Sequence, residues 1–363
     1  MGHGQGTVED LGLNAAFWSG RRVLVTGHTG FKGSWLALWL ESLGAQVSGY
    51  GLAPPGSPSM FEDARVGADM TSLEGDVRDR TAVRAAVEQV RPEVVLHLAA
   101  QPLVRLSYRQ PVETFGANVL GTVHLLDAVR EVGGVRVVVC VTTDKVYENR
   151  GLERGYREDD ELGGHDPYSA SKASAELVAS AYRRSFLAEA GTRVASARAG
   201  NVIGGGDWGE DRLVPDVARA WARGEPVVVR SPDAVRPWQH VLNPLSGYLA
   251  LVERLWDDES AAGAWNFGPD EDDAWPVGAI VERLAGHWGL EVQIAPEGGP
   301  HEAAFLRLDS SKAHSELGWR PRWALERALD ATAEWYSAHR AGEDMRAASL
   351  AQIRAFVAAA APA

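Results

Sequence analysis

The sequence predicts an α/β fold: a doubly wound parallel sheet with helices on both faces, and a smaller α/β substrate lobe toward the C-terminal side. Three observations carry this. Short, β-branched apolar runs alternate with helical stretches of roughly 12–20 residues as far as Arg198, an alternation that builds right-handed βαβ units. The first run ends in a glycine-spaced turn that opens a helix. Beyond Asn201 the pattern loosens, proline, glycine and tryptophan become frequent, and the strands shorten.

The elements follow in order. Residues 22–26 read as the first strand, 27–33 as the turn, and an amphipathic helix runs to about Leu43. Residues 46–52 are the second strand, after which Pro54, Pro55, Gly56 and Pro58 mark a loop. A third strand precedes Gly75. Residues 79–90 are helical, 93–98 an apolar strand, 111–132 a long helix, 136–141 a strand, and 166–189 a second long helix. Residues 194–198 close the series. Short strands are then expected around Val227 and Glu291, and helices near 277–288 and 325–339. The expected division is a sheet domain over 20–200, with 238–268 returning to it, a lobe over 201–237 and 269–340, and loose termini at 1–19 and 357–363.

Composition excludes several functions. The 363 residues carry a formal net charge of −13, which argues against nucleic acid or an anionic membrane as partner. The single cysteine, Cys140, lies inside an apolar run; it precludes an internal disulfide or thiolate cluster and fits a reducing cytoplasm. No apolar stretch reaches the ~18 residues that span a bilayer, and no histidine spacing suits a metal, so none is expected.

Thr26-Gly27-His28-Thr29-Gly30-Phe31-Lys32-Gly33 spaces its glycines G-x-x-G-x-x-G. Glycine permits the tight turn, and bare N–H groups at the positive helix end suit a pyrophosphate. Gly27, Thr29, Gly30, Phe31 and Gly33 are the first candidate cofactor residues. In Gly75-Asp76-Val77-Arg78-Asp79, Asp76 with Val77 is placed to meet an adenine amino group, and Asp79 to cap the next helix. The second strand ends Gly49-Tyr50-Gly51-Leu52, with neither an acidic residue for the ribose nor an arginine for a 2′-phosphate. An unpaired phosphate dianion needs a cation, so NAD is expected.

Tyr168 and Lys172 stand four apart on a helix, about 5–6 Å between Cβ atoms, so the ammonium is expected to lower the phenol's pKa. A phenolate there can take a proton from a sugar hydroxyl as hydride leaves the same carbon. Thr142-Thr143-Asp144-Lys145, at the end of the apolar run 135–141, offers a second proton-transfer pair. One oxidation needs one pair; two suggest a reaction of more than one step.

With these residues in place the chain resembles the extended short-chain dehydrogenase/reductase family, over roughly residues 20–340, which implies a Rossmann-like sheet. The resemblance further implies that Ala99 and Ala100 line the dinucleotide site and that Asn118 supports the active-site helix there. Thr143 is then the hydrogen-bonding partner of the reacting hydroxyl, Tyr168 the base, and Lys172 the ligand of the nicotinamide ribose. Thr143-Asp144-Lys145 is similar to the sugar-nucleotide 4,6-dehydratases of the family. Lysine at 145, where most carry glutamate, is similar to the branch acting on CDP-glucose. The likeness extends to Ala99-Ala-Gln-Pro-Leu-Val104, Gly163-Gly-His-Asp-Pro-Tyr168, Gly204-Gly-Gly-Asp-Trp208 and Arg236-Pro-Trp-Gln-His-Val241. It implies C4 oxidation by bound NAD, C5 deprotonation by Lys145, water loss from C6 aided by Asp144, and hydride return to C6. Gln101, Asn201, Arg236 and His240 are the implied nucleotide-sugar contacts, with Trp208 and Trp238 available to stack on the base. The two long helices would pair in a homodimer. An NAD-dependent epimerase or oxidoreductase on the same fold is the alternative, and Asp144-Lys145 argues against it. Lysine as a base makes a demand: its reference pKa of about 10.4 must fall toward neutrality, through desolvation or a neighbouring cation.

Overall fold

The computed structural model describes residues 13–229, 231–294 and 306–359. Six strands come from the first part of the chain: β1 (Arg22–Thr26), β2 (Gln46–Gly51), β3 (Thr71–Glu74), β4 (Val94–His97), β5 (Val137–Val141) and β6 (Arg193–Arg198). They lie in the order β3-β2-β1-β4-β5-β6, and Ala264–Asn266 adds an edge strand beside β6. Every pairing in this sheet is parallel. The order reverses between β1 and β4, so the loops leaving their carboxyl ends diverge there and open a crevice.

The central strands are apolar because both faces are covered. All five residues of β5, Val137-Val-Val-Cys-Val141, are buried, as a strand between two helical layers requires. Each valine so enclosed contributes about 1.5–3 kcal/mol. Cys140 is one of these core residues.

Helix Phe31–Ser42 departs from the amphipathic expectation, since Gly33 to Leu40 are all buried. Its outer side is covered by helix Met345–Ala358, whose Phe356 meets Trp39 edge to face at 5.6 Å. That helix was not anticipated, and residues 357–359 are part of its packed end rather than a loose tail. The N-terminal side needs a similar correction. Trp18, in helix Ala15–Trp18, is fully buried and donates its indole N–H to Glu253 at 2.6 Å. Only positions 1–12 and 360–363 of the expected loose termini lie outside the described residues.

Both long helices carry a widened turn. Pro111–Phe115 continues through a π turn, Gly116–Leu120, into Gly121–Val132. Pro167–Tyr182 ends in a π turn, Arg183–Leu187. A short helix, Val104–Arg109, precedes them without a clear sequence signal. Beyond β6, Val202–Ile203 pairs with Gln239–His240, and Val235–Pro237 with Ala274–Pro276. Val227–Val229 pairs with Val292–Ile294. Among the described residues no helix is long and apolar enough to cross a membrane.

Candidate active site

The glycine turn packs backbone against backbone where side chains would collide. Gly27 has φ +73°, and a Cβ on it would stand 2.7 Å from the Ala99 nitrogen. A Cβ on Gly33 would stand 2.2 Å from the Gly27 carbonyl oxygen, so helix and turn touch through bare backbone. Gly30 caps helix Phe31–Ser42 without a side-chain hydrogen bond, leaving the first N–H groups free for an anion. Thr29 is fixed by its hydroxyl donating to the Leu52 carbonyl at 2.8 Å. Ala99 is held close because its N–H donates to Thr26 Oγ1, and Ala100 follows it, half-buried. Beyond β3, Asp79 caps its helix as expected, accepting from Thr81 and Ala82. Asp76 instead pairs with the Arg78 guanidinium, while the neighbouring Val77 is buried.

At the carboxyl end of β5 the chemistry-bearing residues converge. Thr143 caps the 3-10 turn Asp144–Val146, and its hydroxyl donates to Asp144 Oδ1 at 2.8 Å. Tyr168, from the first turn of helix Pro167–Tyr182, stands near enough to Thr143 to feel its hydroxyl. Thr143, Asp144, Tyr168 and Lys172 are all buried, whereas Lys145 is exposed. Burial pushes the Tyr168 phenol up to about 12, against the opposing Thr143 hydrogen bond. The lowering expected from Lys172 does not occur in this state. Its ammonium donates to the Val141 carbonyl at 3.0 Å, and its own pKa is lowered to about 8 by burial.

Behind these residues, helix Pro167–Tyr182 is clamped to the sheet. The Glu176 carboxylate accepts from Thr142 and Ser196 and pairs with Arg198 at 3.0 Å, all of them buried. The turn after Tyr168, Lys172 and Glu176 at four-residue spacing thus faces one way, two toward the crevice and one into the clamp.

Several expected ligands turn inward. Asn118, in the π turn, donates to the Gln101 carbonyl and Ser171 Oγ and accepts from the Gln101 N–H. It is 1% exposed, so it ties the active-site helix to the loop after β4 instead of contacting a dinucleotide. The Gln101 amide is spent on Leu103 and Thr114, which removes it as a sugar contact. His240 is wholly enclosed, 4.9 Å from the Trp323 ring, and presents no surface to a substrate. Trp208 packs on Tyr336 and bonds Asp63, so it too is structural. Asn201 and Arg236 fare better. The Asn201 carbonyl accepts from Gln239 in the Val202–Ile203 pairing, which brings the two segments side by side, both half-buried.

Sequence reading missed Lys32, Arg212 and Gly200. Lys32 follows Phe31 in the glycine turn, and its ammonium lies 3.4 Å from the buried Tyr248 hydroxyl. Burial, with Lys172 and Arg212 nearby, brings its pKa down to about 7, while Asp144 opposes this. Arg212 is paired with Asp207 at 2.8 Å and also faces Tyr168. Lys32 thus lies within electrostatic reach of two further cations, Lys172 and Arg212, and of the Asp144 carboxylate. The sole signal for Lys32 was its place between Gly30 and Gly33.

That placement costs stability in a testable way. An ammonium whose pKa falls from 10.5 to about 7 on folding is disfavoured in the fold below the unfolded value. The loss is complete below pH 7 and is relieved as pH rises toward 10.5. Lys32→Met should therefore stabilise the ligand-free protein by about 2 kcal/mol at pH 7, a figure reduced for partial exposure. Urea unfolding from pH 7 to 10 should show wild-type stability rising toward that of the variant; parallel curves would refute it.

Among the described residues no group of side chains suits a metal ion. The family model for the NAD dependent epimerase/dehydratase family matches residues 23–268. The chain is 50% identical over 355 residues to the CDP-glucose 4,6-dehydratase of Salmonella typhimurium, covering 96% of this chain and 99% of that one. It is also similar to the Streptomyces venezuelae dTDP-glucose 4,6-dehydratase DesIV solved with NAD, with TM-score 0.75 and 26% identity over 90% of this chain and 99% of that one. The Thermus thermophilus UDP-glucose 4-epimerase in complex with NAD gives TM-score 0.75 at 28% identity, covering 87% and 99% respectively.

Proposed function

The chain belongs to the NAD dependent epimerase/dehydratase family, and from that premise we propose a lyase that converts CDP-D-glucose to CDP-4-keto-6-deoxy-D-glucose and water, with NAD as its cofactor. The observation that carries it is Asp144-Lys145 beside Thr143 and Tyr168 at the mouth of the sheet, in a chain half identical to a CDP-glucose 4,6-dehydratase. A simple oxidation at C4 has no use for a second acid–base pair.

The glycine turn fits a dinucleotide, because the close backbone packing at Gly27 and Gly33 and the uncapped helix start are what a pyrophosphate needs. Gly27, Thr29, Gly30, Phe31, Gly33, Ala99 and Ala100 would hold it, with Asp76 and Val77 toward the adenine and Lys172 at the nicotinamide ribose. Held there, NAD would supply a reversible hydride acceptor for C4 and C6.

The protein's own residues handle the protons. Tyr168 receives the C4 hydroxyl proton. The resulting ketone acidifies C5–H, which Lys145 removes. Asp144 protonates the departing C6 hydroxyl, and Lys145 returns a proton to C5. Lys145 sits at the open side of the pocket, so the entering sugar is what strips water from its ammonium and makes it a base. Asn201, Arg236 and Arg212 are the candidates for the diphosphate, Arg236 and Arg212 through their forked guanidinium groups.

A homodimer in a reducing cytoplasm completes the reading. Val112, Phe115 and Leu120 on one long helix, and Leu177 and Phe186 on the other, are exposed large apolar side chains, an unusual concentration for a free surface. Sedimentation as a monomer at micromolar concentration would remove the dimer. For the activity, incubation with CDP-, dTDP-, UDP- and GDP-glucose should give a 4-keto-6-deoxy sugar from the CDP form, detected by its absorbance in base. Inversion at C4 without water loss would instead make the protein an epimerase.

A further inference from the structure

The helix that carries Tyr168 and Lys172 meets the sheet through small side chains. Apart from Tyr168, Lys172 and Glu176, the residues that Pro167–Tyr182 buries are serines and alanines. Such residues make no deep knobs, so packing alone fixes the helix's position along the strands only loosely. A polar contact can define it instead, and Glu176 with Arg198 provides one.

Both carboxylate oxygens of Glu176 are taken. Oε1 accepts from the Thr142 hydroxyl at 2.5 Å and from Arg198 Nε at 3.0 Å. Oε2 accepts from the Ser196 hydroxyl at 2.5 Å and from Arg198 Nη2 at 3.1 Å. A forked pairing of this kind fixes orientation as well as distance. The remaining guanidinium nitrogen, Nη1, donates to the Tyr147 hydroxyl at 2.7 Å and to the Glu158 carbonyl at 3.1 Å. Tyr147 in turn donates to Asn266 in the edge strand beside β6, so the arginine is held at every nitrogen. Burial works against the carboxylate's charge, but Arg198 beside it and the hydrogen bonds it accepts hold the Glu176 carboxyl below its usual range. Thr142 immediately precedes Thr143 at the end of β5. One carboxylate therefore ties the turn that holds Thr143 and Asp144 to the helix that holds Tyr168 and Lys172.

We propose that Glu176 and Arg198 are positioning residues that set the register of the active-site helix against the Thr143–Asp144 turn. Both act through their neighbours. Replacing a buried ion pair by apolar side chains often leaves a protein as stable as before, and the best-attested use of such a pair is to specify register. A slide of about 1 Å along the sheet would carry Tyr168 and Lys172 together away from Thr143 and Asp144, and a misplacement of that size costs about 100-fold. The glycine turn after β1 and the Arg236 segment belong to other elements, so dinucleotide and nucleotide binding should not follow. The role rests on the dehydratase reading for the substrate that reports it.

Kinetics of the full chain with CDP-glucose, together with calorimetric NAD binding and unfolding midpoints, test it. Glu176→Leu/Arg198→Met removes both charges at once, so no lone charge stays buried and the midpoint should remain near wild type. Its kcat should fall about 100-fold, with KM and NAD affinity close to wild type. Glu176→Gln/Arg198→Met keeps an acceptor for Thr142 and should recover part of that loss. Thr142→Val cuts only the tie to the turn and should also lower kcat at unchanged KM. A folded Glu176→Leu/Arg198→Met variant with wild-type kcat, or with a loss spread equally over kcat, KM and NAD affinity, overturns the positioning role. If that variant fails to fold, Thr142→Val decides alone, and a wild-type kcat there overturns the role. A wild type that inverts C4 without losing water overturns the dehydratase reading instead, and the same kcat ratios on that inversion still decide the positioning.

Discussion

Lys145→Ala should oxidise CDP-glucose at C4 and then stall. The cofactor should accumulate in its reduced form, deuterium from D₂O should no longer enter C5, and turnover should fall on the order of 10³-fold, within the range for loss of a general base. The geometry makes this a clean removal. Lys145 sits inside the short turn Asp144–Val146, and its backbone N–H bonds Thr143 Oγ1 at 3.4 Å whatever the side chain. Its side chain is exposed, so truncation opens no cavity, and stability should stay within about 0.5 kcal/mol. The contrast with its neighbour is the point. Asp144 is buried and bonded to Thr143, whereas the Lys145 side chain is exposed. Full turnover by Lys145→Ala, or continued C5 exchange, would assign the C5 proton to another group.

The parts of this site legible in the sequence are those set by local spacing. A run such as Val137 to Val141 can only be a buried strand, and a glycine turn between strand and helix can only be a close backbone approach. The four-residue interval also places Tyr168 and Lys172 on one face. What the interval does not give is which force wins. Proximity argued for a lowered phenol, but both groups are buried and the ammonium is drawn to the Val141 carbonyl, so desolvation dominates. Asn118 and Gln101 misled for a related reason: they stand in conspicuous motifs, yet their polar atoms are consumed by partners such as Ser171 that the sequence does not announce. His240 misled because it is wholly enclosed. The cover on the outer side of helix Phe31–Ser42 depends on a helix that begins at Met345, whose Phe356 meets Trp39. No local pattern near residue 31 could reveal it.

Gly200→Ala should remove activity while leaving the fold and the dinucleotide site standing. Glycine is often required for a left-handed backbone, but Gly200 is not among the positive-φ residues; the requirement here is space. A methyl group would stand 2.1 Å from Asp144 Cγ and Oδ2 and 2.4 Å from Oδ1, far inside any contact. Something must move. The backbone is poorly placed to do so, because β6 is paired on both sides up to Ala197 and on one side at Arg198, and Asn201 already adopts φ +44°. The carboxylate is the softer partner, held by one hydrogen bond from Thr143 and free to rotate about its side-chain bonds. Rotation breaks that bond and carries the C6 acid away from the sugar. A displacement near 1 Å at a reacting group costs about 100-fold, so kcat should fall on the order of 10²–10³-fold. Calorimetric NAD binding and the unfolding midpoint should both stay near wild type. Wild-type turnover by Gly200→Ala would mean that the chain around residue 200 yields instead, and that the carboxylate does not depend on that glycine for its position.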